Sequence, residues 1–312
     1  MFDFYVLAEK VLMFVLLMIP GFILGKCKIL GKEAISGFGE IITKVAMPCL
    51  VIVKMLETNI ASLGAANIIV CIVHVPVFLF LMSFVSRLVF GERRVERFCS
   101  VFPNCGFLGI PLAVATFPTI PEVAVFLSIW NIFDSVMVLT FGVDILSDEK
   151  KKSNILSVLL KPISIAAVLG IVLSFFDFGA KFPMAVTYTE YFANVTTPLS
   201  MTILGYELSK ISWKSLFSRF EVYAVSFMKL CISPVLALAI AYLFNLIPGI
   251  ALSPALFAAI FLATGVASAS IASALANDCG RDASLAAILT VGTTILCVIT
   301  LPIMSLIYEM IF

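Results

Sequence analysis

Charge is scarce in this sequence. Asp, Glu, Lys and Arg together supply 12% of its 312 residues, about half the share of a soluble domain, which is too little to cover a water-exposed surface. Histidine is scarcer still. His74 stands alone, which excludes a metal site of the HExxH type. No GxSxG nucleophile elbow and no GxxxxGK[ST] phosphate loop occurs, so the machinery of a serine hydrolase and of an ATP-driven pump is missing. The eight cysteines are scattered singly without a CxxC pair and read as small apolar fillers. Basic residues outnumber acidic ones only 20 to 19 and sit in short loops, so nucleic acid is not an expected partner. No enzyme chemistry, metal or organic cofactor is expected.

What the chain has instead is apolar length. Hydrophobic residues make up 62% and the mean hydropathy is +1.16, the signature of an integral membrane protein. With roughly 20 residues needed per crossing, apolar windows and their breaks give ten spans: about 5 to 25, 34 to 56, 65 to 90, 98 to 117, 122 to 146, 162 to 178, 186 to 208, 219 to 243, 252 to 276 and 283 to 308. The second and seventh are the most polar, with Glu40 and Lys44 in one and Asn194, Thr196, Thr197 and Ser200 in the other. Such helices line a protein interior or a wet cavity. The first run, Val11 to Leu24, follows Asp3 and Glu9 and lacks a small-x-small cleavage pattern, while Lys26 precedes Cys27 where a lipoprotein leader needs a small residue. It reads as a span, not as a cleaved signal.

Basic residues orient the spans. Fifteen Lys and Arg fall in odd-numbered loops, against Lys54 and Lys181 in even-numbered ones. The positive-inside rule then puts the odd loops in the cytoplasm and both termini outside the cytoplasm, with the cell membrane as the expected location. The loop SDEKKKSNILSVLLK, residues 147–161, divides the spans five and five. An odd number per half forces opposite orientations, hence two inverted repeats, 1–146 and 162–312, joined by a cytoplasmic linker at 147–161. KVAMPCL at Lys44–Leu50 faintly echoes NVTTPLS at Asn194–Ser200, aligning Pro48 with Pro198, both expected to break their helices.

Span 4 carries PNCGFLGIP, where Pro103, Gly106, Gly109 and Pro111 interrupt a helix around Asn104. Each proline removes an amide donor and clashes one turn back, so the helix is expected to open. Span 9, its counterpart, carries LATGVASASIAS, Leu262–Ser273, whose small and hydroxylated residues allow close approach and can satisfy freed backbone groups. Paired interruptions in two halves point to a transport site. Simple kinks at Pro and Gly, and tight packing of small residues, are the alternatives.

PNCGFLGIP resembles the Asn-x-Gly-Phe-x-Gly-x-Pro segment of the auxin efflux carrier family, which contains plant PIN-type auxin exporters and bacterial relatives including malonate transporters. Lys229 five residues before Pro234, ALANDCGRDASLAA at Ala274–Ala287, and TLPIMSLI in span 10 also look like that family. The resemblance implies ten helices in two inverted five-helix repeats, similar to bile acid symporters, with broken helices 4 and 9 crossing at mid-membrane. Helices 1, 2, 6 and 7 would form a scaffold, often homodimeric, and the others a moving transport domain. The expected activity is secondary transport of small organic anions, auxin- or malonate-like carboxylates, by alternating access. A sodium-coupled symporter of bile-acid type, a channel and a membrane sensor are the rival readings. This chain departs from the family pattern in having no proline between Pro254 and Pro302, so Gly265 with Thr264, Ser268 and Ser270 must open span 9.

A broken helix leaves unpaired amides at the start of its second half, and two such ends meeting at the midplane form an anion site without a formal cation. The expected substrate-binding residues are Asn104, Cys105, Gly106, Thr264, Gly265, Ser268 and Ser270. Each hydroxyl has the alternative of bonding its own helix carbonyl. Asn131 and Asp134 share a face of span 5, and Lys229 lies deep in span 8, where an offset of 155 between the halves aligns it with His74. These four are candidates for coupling to H+ or Na+, although Asp134 could instead only pair with Lys229 and His74 could be a satisfied core residue. Glu40 and Lys44, four apart, suit a mutual pair.

Overall fold

The computed structural model describes residues 4–58, 63–147, 160–176 and 178–311. Lys150, Lys151 and Lys152 of the linker lie outside the described residues. In chain order the helices are α1 (Phe4–Lys26), α2 (Lys32–Glu57), α3 (Ala65–Phe90), α4 (Arg94–Val101), α5 (Cys105–Thr116), α6 (Pro121–Leu146), α7 (Pro162–Phe175), α8 (Phe178–Lys181), α9 (Pro183–Ala193), α10 (Thr196–Lys210), α11 (Trp213–Ser218), α12 (Phe220–Asn245), α13 (Pro254–Gly265), α14 (Ala272–Asp278) and α15 (Ala283–Ile311). Six of them, α1, α2, α3, α6, α12 and α15, are long and apolar enough to cross a membrane, and α5, α7 and α13 are shorter apolar helices. Among the described residues no strand forms beyond one isolated bridge.

Three expected spans are divided. The fourth is α4 and α5, and the ninth is α13 and α14. The seventh is α9 and α10, which meet at Asn194–Val195. Pro198 sits in the first turn of α10, where a missing amide costs nothing. Pro48 does not break α2. The helix instead widens to i→i+5 bonding over Ile42–Ala46, and the same widening covers Cys105–Gly109 before Pro111 and Met228–Ile232 before Pro234. In each case the wide turn ends two residues before the proline, where the ring would strike a carbonyl one turn back, so it relieves that clash while keeping the helix continuous.

The helices pack in matched pairs. α1 lies along α10, and α2 along α7 and α9. The α1 seam is built on GFILG, Gly21–Gly25, the small-xxx-small spacing that lets backbones touch. A Cβ at Gly21 would collide with the carbonyl of Thr202, one at Gly205 with the carbonyl of Met18, and one at Gly25 with the Ser209 hydroxyl. In the rest of the molecule α3 packs on α4, α6 and α12, while α12 packs on α13, α15 and α3; α13 adjoins α6, and α4 adjoins α15. Trp130, Phe78, Phe98, Phe102, Phe126 and Phe261 are fully buried at the centre of this second body.

Candidate functional site

Between α4 and α5 the chain leaves the helix through Phe102–Asn104, and between α13 and α14 it runs through Val266–Ala269 before turning at Ser270–Ile271 into α14. The two stretches cross antiparallel and bond to each other, Asn104 N–H to Ala267 O at 2.7 Å and Ala269 N–H to Phe102 O at 2.9 Å, with Pro103 opposite Ser268. Each freed backbone group here would cost free energy if left bare in a buried site, and side chains take up those the crossing leaves. Ser268 Oγ donates to Cys99 O at 2.6 Å and Lys229 Nζ to Val101 O at 3.3 Å. Ser233 Oγ donates to Thr264 O at 3.1 Å, and Thr293 Oγ1 accepts from Ser268 N–H at 3.0 Å. Lys229, wholly buried, thus takes up one of the carbonyls left open at the end of α4.

A cavity of about 380 Å³ opens against one side of the crossing. Its walls are Thr43, Lys44 and Met47 of α2, Pro103 to Phe107 at the break, Asn131, Asp134, Ser135, Val138 and Leu139 of α6, Lys161 to Ile163 entering α7, and Ala269 to Ile271. Asn104 is 3% exposed and its side-chain nitrogen has no partner; Asp134 is equally buried and its Oδ1 has none. A buried donor and a buried acceptor thus stand open on one cavity, free to meet water or a ligand. Gly106 shapes the wall: a Cβ there would stand 3.2 Å from Met47 Cε and 3.5 Å from Asn131 Oδ1. Cys105 lines the same wall, with its thiol 3.8 Å from Leu127 O. The first turn of α5, Cys105 to Phe107, lines this space, and Asn104 O takes the N–H groups of Leu108 and Gly109.

Two lysines add positive charge. Lys44 is exposed and paired with Glu40 at 2.9 Å. Lys161 is half-buried ahead of α7, and that burial pulls its ammonium down from the ordinary lysine value. A second, smaller cavity of about 130 Å³, lined by Tyr206, Glu207, Lys210, Ser273 and Thr290, shares Ser270 with the first. Across α5 from the main cavity, Val11, Phe14, Met18, Leu108, Leu112, Thr294, Cys297, Val298 and Leu301 close on a void of only about 20 Å³.

The structure thus gathers Asn104, Cys105, Gly106, Ser270, Asn131 and Asp134 on one cavity and leaves the other expected residues behind it. Thr264 Oγ1 bonds Ile260 O at 2.7 Å, four residues back in its own helix. Gly265 packs toward Leu301, where a Cβ would reach Cδ1 at 3.0 Å. Ser268 holds the crossing together. Gly109 and Pro111 open and start the helical part of α5. His74 is fully buried between α3, α6 and α12: Trp130 Nε1–H donates to its Nδ1 at 3.3 Å, so the ring proton is on Nε2, which donates to Ala237 O at 3.0 Å. Asp134 and Lys229 form no ion pair. Sequence reasoning did not place Thr43, Met47, Ser135 or Lys161 at the site. Lys161 directly before a helix-starting proline was the usable signal.

A family model described as membrane transport protein matches residues 6–158 and 149–305, the two matches meeting in the segment between α6 and α7. No curated protein matches the chain.

Proposed function

The chain belongs to the membrane transport protein family of the auxin efflux carrier type, and we propose that this integral membrane protein is a secondary transporter of small organic anions working by alternating access. The carrying observation is the cavity at the crossing, where the unpartnered amide of Asn104, the start of α5 and the lysines at positions 44 and 161 offer donors and positive potential to a carboxylate. Asn131 and Ser270 complete the polar wall. The far smaller apolar void across α5, about 20 Å³ against about 380 Å³ for the main cavity, favours a carrier, open to one side at a time, over a channel.

The ten-span inverted repeat is part of this reading. Exchanging the halves turns the α1–α10 seam into the α2–α7 one, α3–α4 contact into α12–α13, α3–α6 into α12–α15, and α4–α15 into α13–α6; each of these contacts is present. A pseudo-twofold axis in the membrane plane accounts for that matching. α1, α2 and α7 to α10 are then the scaffold, through which two copies would pair as a homodimer, and the crossing helices belong to the moving body. With the linker cytoplasmic, the large cavity faces the cytoplasm and both termini lie outside it.

Counterflow in proteoliposomes tests the function with acetate, malonate and indole-3-acetate, each against its neutral amide. A carboxylate carrier shows saturable counterflow and an affinity about tenfold to a hundredfold weaker for the amide, the worth of a charge-assisted hydrogen bond. Equal affinity for acid and amide, or flux without counterflow, contradicts the proposal.

A further inference from the structure

Asp134 is the one acidic side chain on the wall of the large cavity among the described residues. It is almost wholly buried, its Oδ1 meets no donor, and the nearby ammonium of Lys229 is committed to Val101 O at the end of α4 rather than to Asp134. The titratable side chains that share its cavity are Lys44 of α2, Cys105 at the start of α5 and Lys161 before α7; Lys229 lies on α12, while α3 and α4, which both pack on α6, carry buried Cys71 and His74 and buried Glu96 and Cys99, and α13 brings none. Of these, His74 has both ring nitrogens engaged, and the thiols of Cys71 and Cys105 are turned to the carbonyls of Phe126 and Leu127. Lys44 is held by Glu40. None donates to Asp134. A metal ion would need several converging oxygens, and among the described residues no cluster of three metal-ligating side chains exists.

We infer that Asp134 is a proton-binding site on the cavity wall, and that an anion entering the cavity brings a proton with it. The inference rests on the cavity being the anion site. An ionised Asp134 would lie beside the bound carboxylate and repel it; a proton taken from cavity water onto the carboxyl removes that charge and supplies an O–H donor. Proton and anion therefore bind more tightly together than apart, and by linkage each raises the other's affinity equally.

Infrared difference spectroscopy of the protein in lipid nanodiscs, between acidic and alkaline buffer without added anion, reads the proton directly. A protonated-carboxyl C=O band is expected in the wild type, shifted by carboxyl-13C aspartate labelling, lost in Asp134→Asn and kept in Asp134→Glu. Labelling keeps the test decisive if the Asn variant fails to insert, because Asp134 is the buried aspartate among the described residues. A band indifferent to both labelling and Asp134→Asn overturns the proton site. With acetate, malonate or indole-3-acetate present, the band's midpoint is expected to move to higher pH for whichever anion shows counterflow. A midpoint unmoved by a transported anion overturns the coupling. An Asp134 band with no counterflow by any carboxylate counts instead against the carrier reading, leaving the proton site standing.

Discussion

Replacing Gly205 by alanine tests the tightest packing in the molecule. The added Cβ would overlap the Met18 carbonyl oxygen and stand 2.9 Å from its carbon and 3.0 Å from Phe22 N, all backbone atoms that no rotamer change can move. Restoring ordinary contact requires α10 to part from α1 by at least about 0.5 Å at the nearest carbons, a gap at which each pair contact already loses about a quarter of its dispersion energy. The seam runs the length of both helices, so the loss is multiplied along it. Overpacking against adjustable side chains costs about 1–3 kcal/mol, and against two rigid backbones we expect about 3 kcal/mol or more. Gly37→Ala in α2, where nothing lies within 4 Å of the added carbon, is the control, expected to be neutral or to stabilise by up to about 1 kcal/mol. Unfolding in mixed dodecylmaltoside–SDS micelles, followed by fluorescence of Trp130 and Trp213, measures both. A Gly205→Ala loss below about 1 kcal/mol would refute the close seam.

Asn104→Ala should abolish counterflow while leaving insertion and thermal stability near wild type, because the side-chain nitrogen it removes has no partner within the protein; unimpaired transport in that variant would make the residue a bystander. Ser268→Ala should destabilise by about 1–3 kcal/mol by orphaning the Cys99 carbonyl, measured by the same micelle titration. Lys161→Gln should raise KM several-fold at unchanged maximal rate. Since burial lowers the pKa of Lys161, its charge, present below that pKa, disappears as pH rises through it, at a lower pH than for an ordinary lysine. Wild-type KM should therefore climb over that alkaline range, and the climb should be absent in Lys161→Gln.

The break in span 4 was legible because Pro103, Gly106, Gly109 and Pro111 leave a helix no continuous bonding pattern. The break in span 9 was legible only by analogy between the halves. Its location at Val266–Ile271, just past Gly265, follows from partners far away in sequence: the Asn104 N–H and the Cys297 thiol, which donate to it, and Thr293 Oγ1, which accepts from it. Thr264 and Ser268 were readable as polar residues at the crossing but not as spoken for, since their acceptors, Ile260 and Cys99 carbonyls, emerge only from helix geometry and tertiary contact. Lys161 escaped notice because the cavity it lines is assembled from five separated stretches of chain. Pro48 shows the opposite limit: a proline read as a breaker is absorbed by one wide turn.

The account turns on a site reachable from one side at a time. With the eight native cysteines replaced, Ser135→Cys on the large cavity and Val298→Cys on the closed void can be exposed to a membrane-impermeant thiol reagent in right-side-out and inside-out vesicles. The account predicts that Ser135→Cys reacts only from the cytoplasmic face and Val298→Cys only from the opposite face, with a transported carboxylate shifting the ratio of the two rates. Labelling of both positions from the same face, or of Val298→Cys from neither, would contradict it.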